Sequence, residues 1–280
     1  MAVKQKEKEV VHVGSITLSE WNTVIRWFEL PGEGIPLICL PGLSFAAIPN
    51  FLPLVTQPEF RGRRILMIDY VGSGYSGHSE SFGFSLEEHS RSIAAVMDAA
   101  CLEPAHLLGY SMGGAVAISV ALARPDLVSK LVVCEGNLKP GGGEVCRRIV
   151  SSDQDTFISK DHPERMKGLA EAAFNGDFFS DVLWMARFGA DPKGIYRNAC
   201  ALIELAEDFE ERFLSLPMER HFVYGEQGFP GNTGQITPDL PDPDLLRAHG
   251  VGIHVVPGVG HPMMIEDPVA TSKVVGRVLS

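Results

Sequence analysis

Residues His106 to Gly114 read HLLGYSMGG, and this stretch decides the fold of a 280-residue chain. Its apolar start predicts a strand, and the alanine-rich sequence after it predicts a helix that begins at once. A strand that reverses into a helix within so few residues leaves almost no space beside the bend, and glycine tolerates such crowding. Gly109 and Gly113 lie two residues before and two residues after Ser111. The stretch therefore predicts a serine hydroxyl at the exposed tip of a tight turn.

A G-x-S-x-G turn between a strand and a helix is a nucleophile elbow, and on this motif the chain resembles the α/β-hydrolase superfamily. The resemblance implies an α/β fold with a mostly parallel, doubly wound sheet. It also implies that Ser111 is a nucleophile followed along the chain by an acid and a histidine, because a serine hydroxyl reacts only when a base takes its proton. The alternative interpretation is a glycine-rich turn that carries an ordinary solvent-exposed serine.

Strand-like and helix-like segments alternate along the rest of the chain, as a doubly wound sheet requires. Short apolar runs predict further buried strands at residues 35–40, 65–68, 131–134, 222–224 and 252–256. The alternation lapses from Lys139 to Leu216, where helical patterns follow a proline and a run of glycines. We therefore expect a core domain made of residues 1–138 and 217–280, with residues 139–216 inserted as a helical cap.

Composition limits the classes of function. The chain has 35 acidic and 24 basic residues, and a net charge of −11 argues against nucleic acid as a partner. The charged N-terminal stretch is no secretory signal, and no apolar run is long enough for a membrane span. Five widely spaced cysteines in apolar company predict free thiols of a cytoplasmic protein, and no Cys/His spacing suggests a metal site. We expect a small-molecule substrate as the partner, and the sequence carries no indication of oligomeric state.

Residues 72–77 form a G-x-G-x-x-G string, which is the fingerprint of dinucleotide-binding sites. In those sites the last glycine opens a helix, and an acidic residue ends the next strand about 20 residues later. Here the first helix signal is a capping box that starts at Ser85, and the expected acidic position falls inside that helix near Asp98. We therefore expect neither a nucleotide nor another cofactor. The string that begins at Asp69 instead resembles a structural loop of α/β-hydrolases.

The loop after residues 35–40 reads Pro41-Gly42-Leu43-Ser44. In the superfamily that the chain resembles, this loop commonly reads His-Gly, and the next residue gives a backbone N–H to the oxyanion hole. Pro41 replaces the histidine here, but the glycine turn is intact. The resemblance therefore implies Leu43 and Met112 as the two donors, although Pro41-Gly42 is also an ordinary turn signal.

One of the nine histidines lies where the resemblance requires the base. His261 follows the last predicted strand on a glycine-rich loop, which can carry an imidazole across the end of the sheet to Ser111. The expected role of His261 is to take the serine proton and then to return it to the leaving group.

The sequence leaves several carboxylates as candidates for the acid. In many relatives an aspartate lies two residues after the glutamate of a Gly-Glu pair, and Gly228 occupies that position here. Glu135 ends the strand that follows the elbow helix, where some relatives carry their acid, and it is our preferred candidate. Glu226 lies on the more usual loop and is the alternative. Asp242 or Asp244 is a third possibility.

Aromatic residues crowd one part of the expected cap. Most of these side chains are expected to form the interior of the cap, and we expect Phe178, Trp184 and Phe188 to line an apolar substrate pocket. Together these features predict a hydrolase that cleaves an ester or lactone of a small, fairly apolar substrate through an acyl-enzyme. A hydrolase of carbon–carbon bonds and a non-enzymatic ligand receptor with the same residues are the alternatives.

Overall fold

The computed structural model describes residues 11–100, 104–230 and 240–280. Eight strands form one sheet in the order β1-β2-β4-β3-β5-β6-β7-β8. Their bounds are His12–Leu18 (β1), Thr23–Leu30 (β2), Glu33–Leu40 (β3), Arg63–Asp69 (β4), Ala105–Tyr110 (β5), Val128–Cys134 (β6), Glu219–Gly225 (β7) and Gly252–Val256 (β8). Pairing is antiparallel between β1 and β2 and between β2 and β4, and it is parallel from β4 onward. The prediction of a mostly parallel doubly wound sheet is confirmed.

Helices cover both faces of this sheet. Their bounds are Ala47–Val55 (α1), Leu86–Ala99 (α2), Met112–Ala123 (α3), Gly143–Ile149 (α4), Gln154–Thr156 (α5), His162–Phe174 (α6), Phe178–Arg187 (α7), Pro192–Ile203 (α8), Phe209–Leu214 (α9), Pro243–Ala248 (α10), Met263–Glu266 (α11) and Pro268–Leu279 (α12). Side chains of α1 and α12 join one apolar cluster, whereas those of α2 and α3 join the other. The central strands are apolar on both faces because each face packs against helices.

Six helices, α4 to α9, lie between β6 and β7, in the segment where the sequence predicts an inserted cap. Backbone hydrogen bonds attach this segment to loops of the sheet. The N–H of Ala46 donates to Ala186 O at 2.8 Å, and the N–H of Asp191 donates to Gly72 O at 2.7 Å. The C-terminal end of α7 is therefore held against the loop that follows β3.

The G-x-G-x-x-G string forms a loop that is built around a carboxylate. Asp69 is fully buried, and its two oxygens accept backbone N–H groups from Ala47 and Tyr75 at 2.7 and 2.8 Å. Gly74 has φ +55°, and a Cβ there would lie 2.3 Å from the Asp69 carboxylate. The next helix begins only at Leu86, after the capping box of Ser85 and Glu88. The glycines thus give the backbone room beside Asp69, which is a structural task.

The N-terminal stretch 1–10 and Cys101 lie outside the described ranges. In the described ranges, no helix is long and apolar enough to cross a membrane. No group of three or more potential ligands could hold a metal ion among those same residues. The four described cysteines are free thiols, and three of them are buried.

His89 joins the core to the cap and makes the stability of the fold depend on pH. The ring is fully buried on α2, and Nε2 lies 2.8 Å from Oδ1 of Asn198 on α8. Burial lowers the pKa of His89 from 6.5 to about 4, although the Asn198 contact and nearby Glu88 oppose this shift. Below pH 6.5 the His89 ring is therefore protonated in the unfolded chain, whereas in the folded chain it stays neutral down to about pH 4. The free energy of unfolding accordingly falls as the pH drops through this window.

We expect His89→Gln to flatten this pH dependence. At pH 5, His89 accounts for a loss of about 2 kcal/mol relative to pH 7.5. Urea unfolding at both pH values measures the difference, and His12→Gln is the control because His12 is exposed. An equally steep decline in the wild type and in His89→Gln would show that other groups cause it.

Candidate active site

The elbow places Ser111 in a strained backbone conformation between β5 and α3. Ser111 has φ 54° and ψ −120°, a region that non-glycine residues rarely adopt. Its N–H donates to Cys134 O at 2.9 Å, which ties the turn to the neighbouring strand. A Cβ at Gly109 would lie 2.3 Å from Gly113 O, and one at Gly113 would lie 2.0 Å from Leu40 O. Both glycines are therefore required by close backbone contacts around the serine.

Two hydrogen bonds connect Ser111, His261 and Glu135. Nε2 of His261 lies 3.1 Å from Oγ of Ser111, and Nδ1 lies 3.0 Å from Oε2 of Glu135. A carboxylate only accepts hydrogen bonds, so Nδ1 carries the proton and Nε2 is free to accept the serine proton. The carboxylate is almost completely buried, whereas the imidazole is about half exposed at the site. This is the relation of nucleophile, base and orienting acid that a serine hydrolase needs.

Backbone geometry holds Glu135 in this position. The residue follows β6 with φ 49°, and its N–H donates to Val223 O at 3.0 Å. Its other carboxylate oxygen accepts the N–H of Gly225 at 2.8 Å. Both oxygens therefore have a donor, which stabilises a buried charge. Burial and then the Glu135 charge raise the pKa of Tyr110, whose ring lies 5.3 Å from the His261 ring, so this neighbour stays neutral.

The other candidate acids lie elsewhere. Glu226 accepts the N–H of Gly258 at 2.8 Å. Asp242 caps α10, and Asp244 pairs with Arg247 at 2.7 Å. None of these contacts of Glu226, Asp242 and Asp244 involves His261.

Gly228 lies next to the carboxylate of Glu135, which reaches the imidazole from a different strand. This glycine occupies the position where the resemblance to α/β-hydrolases implied an aspartate, and a Cβ there would lie 3.6 Å from Oε1 of Glu135. The carboxylate of Glu135 thus lies beside the position that the usual aspartate would start from. The longer glutamate side chain delivers its oxygens to that region from the end of β6.

The predicted oxyanion donors lie on the two segments that flank Ser111. Met112 is the first residue of α3. Its N–H has no partner within the helix and lies at the positive end of the helix dipole. Leu43 lines the same cavity as Ser111. Asn50 on α1 holds the Leu43 loop, since its buried Oδ1 accepts the N–H of Gly42 at 3.0 Å. The sequence carried no signal for this role of Asn50, because it depends on the packing of α1.

A cavity of about 460 Å³ opens onto Ser111 and His261. Much of its lining is apolar and comes from the oxyanion loop, the cap and the loop before α10: Leu43, Phe45, Phe179, Leu183, Leu202 and Leu240. Two arginines of the cap, Arg165 and Arg187, also line it. No local pattern in the sequence singles out either arginine.

The three aromatic residues that the sequence assigned to the pocket are not among those that line the cavity. Phe178 and Phe188 are 71% and 67% exposed, and Trp184 packs on Phe188 at 5.2 Å between ring centroids. The lining residues of α7 are Phe179, Leu183 and Arg187, which share one helix face because they are four residues apart. The composition of α7 indicated an apolar helix, but the packing of the cap on the core sets which face points inward.

Comparison with known proteins identifies the family of this chain. Residues 35–182, more than half of the chain, match the alpha/beta hydrolase fold family. The chain belongs to this family. It is 24% identical over 262 residues to 2-hydroxymuconate semialdehyde hydrolase from Pseudomonas sp. (strain CF600), covering 89% of this chain and 88% of that one. Three other curated relatives are 29–37% identical, but the matches cover only 29–51% of their lengths.

Solved structures support the same fold. An esterase from Exiguobacterium antarcticum superimposes with a TM-score of 0.72 at 18% identity, covering 92% of this chain and 96% of the esterase. The enol-lactonase from Burkholderia xenovorans LB400 also gives a TM-score of 0.72, at 16% identity, with 95% and 99% of the two chains covered. Identities this low establish the architecture and leave the substrate open.

Proposed function

We propose that this protein is a serine hydrolase that cleaves a carboxylic ester or a lactone of a small, fairly apolar substrate. The observation that carries the proposal is the continuous chain of hydrogen bonds from Ser111 through His261 to the buried carboxylate of Glu135. The largely apolar cavity of about 460 Å³ beside Ser111 supports a small substrate. Similarity in fold to an esterase and to an enol-lactonase is consistent with this reaction class.

The reaction proceeds through an acyl-enzyme. Oγ of Ser111 attacks the carbonyl carbon while its proton passes to Nε2 of His261. The N–H groups of Leu43 and Met112 hold the negative oxygen of the tetrahedral intermediate, and one such donor typically contributes a factor of about 100 to 1,000 in rate. His261 then returns the proton to the departing alcohol. Water attacks the acyl-enzyme by the same route and releases Ser111.

Hydrolysis of a carbon–carbon bond is the second candidate. It is favoured by the match to 2-hydroxymuconate semialdehyde hydrolase, which extends over 89% of this chain. The same serine, base and oxyanion donors would serve that reaction. The free thiols among the described cysteines fit a cytoplasmic location for either enzyme, since reducing compartments keep thiols unpaired.

Hydrolysis of p-nitrophenyl esters with acyl chains of two to eight carbons tests the proposal. We expect steady turnover that declines once the chain outgrows the cavity. A vinylogous 1,5-diketone ring-fission product, followed by its absorbance, tests the second candidate in parallel. A single turnover that leaves a fragment bound to the protein would contradict both enzymes and would indicate a ligand receptor.

A further inference from the structure

Arg187 is a buried cation with unused hydrogen-bonding capacity beside the candidate nucleophile. It is the last residue of α7, is only 9% exposed and lines the same cavity as Ser111. Its Nε donates to Oγ of Ser44 at 2.9 Å, whereas its buried Nη1 has no hydrogen-bond partner. Burial of a donor without a partner is costly, and such a group in a cavity indicates a missing acceptor.

Arg187 forms no ion pair with a carboxylate of the described residues. In the described part of the chain, no carboxylate lies within 4.0 Å of the charged nitrogens of Arg187 or of Arg165, the second arginine of the cavity. Burial, followed by the neighbouring Arg165, lowers the pKa of Arg187 to about 10, so the guanidinium is still charged at neutral pH. Glu135 and Glu144 also line the cavity, but the oxygens of Glu135 are bound to Gly225 and His261. The buried Nη1 of Arg187 still has no acceptor, which favours an anion in the substrate.

Arg187 is also connected to the loop that carries a candidate oxyanion donor. Its guanidinium carbon lies 5.1 Å from the centre of the Phe45 ring, and its Nε contacts Ser44, which has φ 65°. Ser44 follows Leu43 directly in the chain. An anion bound by Arg187 is therefore held at a fixed place relative to the oxyanion loop and to Ser111.

We propose that Arg187, assisted by Arg165, binds a carboxylate on the substrate, so that the preferred substrate is an ester or lactone that carries a free carboxylate away from its scissile carbonyl. The planar guanidinium suits a carboxylate because it offers several N–H donors in a fixed arrangement. The apolar part of the cavity holds the hydrocarbon between the two ends. This inference rests on the proposed ester or lactone hydrolysis and specifies its substrate class.

Two esters that differ only in one charge test the inference. Mono-p-nitrophenyl adipate carries a free carboxylate, and p-nitrophenyl methyl adipate is its neutral counterpart. We expect the wild type to prefer the monoanion in kcat/KM. Loss of a hydrogen bond to a charged group corresponds to about 10- to 100-fold, so Arg187→Met should reduce the monoanion-to-diester ratio by that factor, mainly through KM. Arg187→Lys should recover part of the ratio, because it restores the charge without the planar fork.

Arg212→Met is the matched control, because Arg212 is an exposed arginine of the same inserted segment, does not line the cavity, and its loss changes the net charge equally. We expect it to change the ratio less than twofold. A wild type that prefers the neutral diester, or an Arg187→Met variant with an unchanged ratio, would overturn the inference. Hydrolysis of both esters without a preference would leave the proposed function standing while removing the carboxylate site.

Calorimetry with monomethyl adipate separates binding from turnover. We expect Ser111→Ala to bind this monoanion and the double variant Ser111→Ala/Arg187→Lys to bind it more weakly. Binding by Ser111→Ala without hydrolysis of either ester by the wild type would support the carboxylate site and contradict ester hydrolysis. Absence of binding to Ser111→Ala would overturn the inference even if Arg187→Met failed to fold.

Discussion

Replacing Ser111 by alanine is expected to abolish ester hydrolysis, with a loss in kcat of at least about 10,000-fold. In the proposed mechanism Oγ of Ser111 forms the covalent bond to the substrate, and neither water nor His261 can replace it at that position. Removal of the nucleophile from a hydrolase of this kind costs up to about 10⁶-fold. Release of p-nitrophenol measures the loss, and far-UV circular dichroism checks that the fold is intact.

A fluorophosphonate probe gives the control for this prediction. The probe should label Ser111 in the wild type and fail to label either Ser111→Ala or His261→Ala, because in the proposed mechanism His261 takes the proton of the hydroxyl. Full turnover by Ser111→Ala would exclude it as the nucleophile. Equal labelling of the wild type and His261→Ala would mean that the 3.1 Å contact between the two side chains does not activate the serine.

Replacing Glu135 by glutamine is expected to reduce kcat by up to about 10,000-fold through the tautomer of His261. Gly225 donates its N–H to one carboxylate oxygen, so the amide oxygen of the glutamine should stay on that donor. The amide NH₂ then faces Nδ1 of His261 and forces this nitrogen to be an acceptor. The ring proton moves to Nε2, which can no longer take the proton of Ser111.

Glu226→Gln is the matched control, because Glu226 is the other glutamate that the sequence offers as the acid. Its carboxylate caps the N–H of Gly258, so we expect kcat to change by less than about tenfold. The pH dependence of kcat for the three proteins supplies a second measurement. If Glu226→Gln alone lost activity, the assignment of the acid to Glu135 would fail.

Much of the sheet follows from local sequence. The apolar runs at residues 65–68 and 131–134 fall within β4 and β6, because strands buried on both faces must be apolar. The run at residues 252–256 coincides with β8, a partly buried edge strand. The capping box at Ser85 starts α2, since those side chains bond to their own backbone. The family could also be predicted from local sequence, because the elbow is a short motif with strict backbone requirements.

Positions that depend on packing between distant parts of the chain were harder to predict from the sequence. Phe178 and Phe179 are neighbours of the same residue type, and only the placement of α7 on the core decides that Phe179 lines the cavity. Arg187 has no local signature, since an arginine at the end of a helix is usually exposed. Its importance comes from contacts with Ser44 and Phe45, more than 140 residues earlier in the chain.

The position of the serine at a bend, the strands next to it and the histidine after the last strand can be read from the sequence, because these features depend on neighbouring residues and on chain order. Which carboxylate meets that histidine depends on the folded chain. Glu135 and Glu226 both end strands at the same edge of the sheet, and the choice depends on side-chain reach across strands and on the backbone donor of Gly225. The lining of the cavity likewise depends on the folded chain, since residues of α4, α6, α7 and α8 line it together with loops of the sheet.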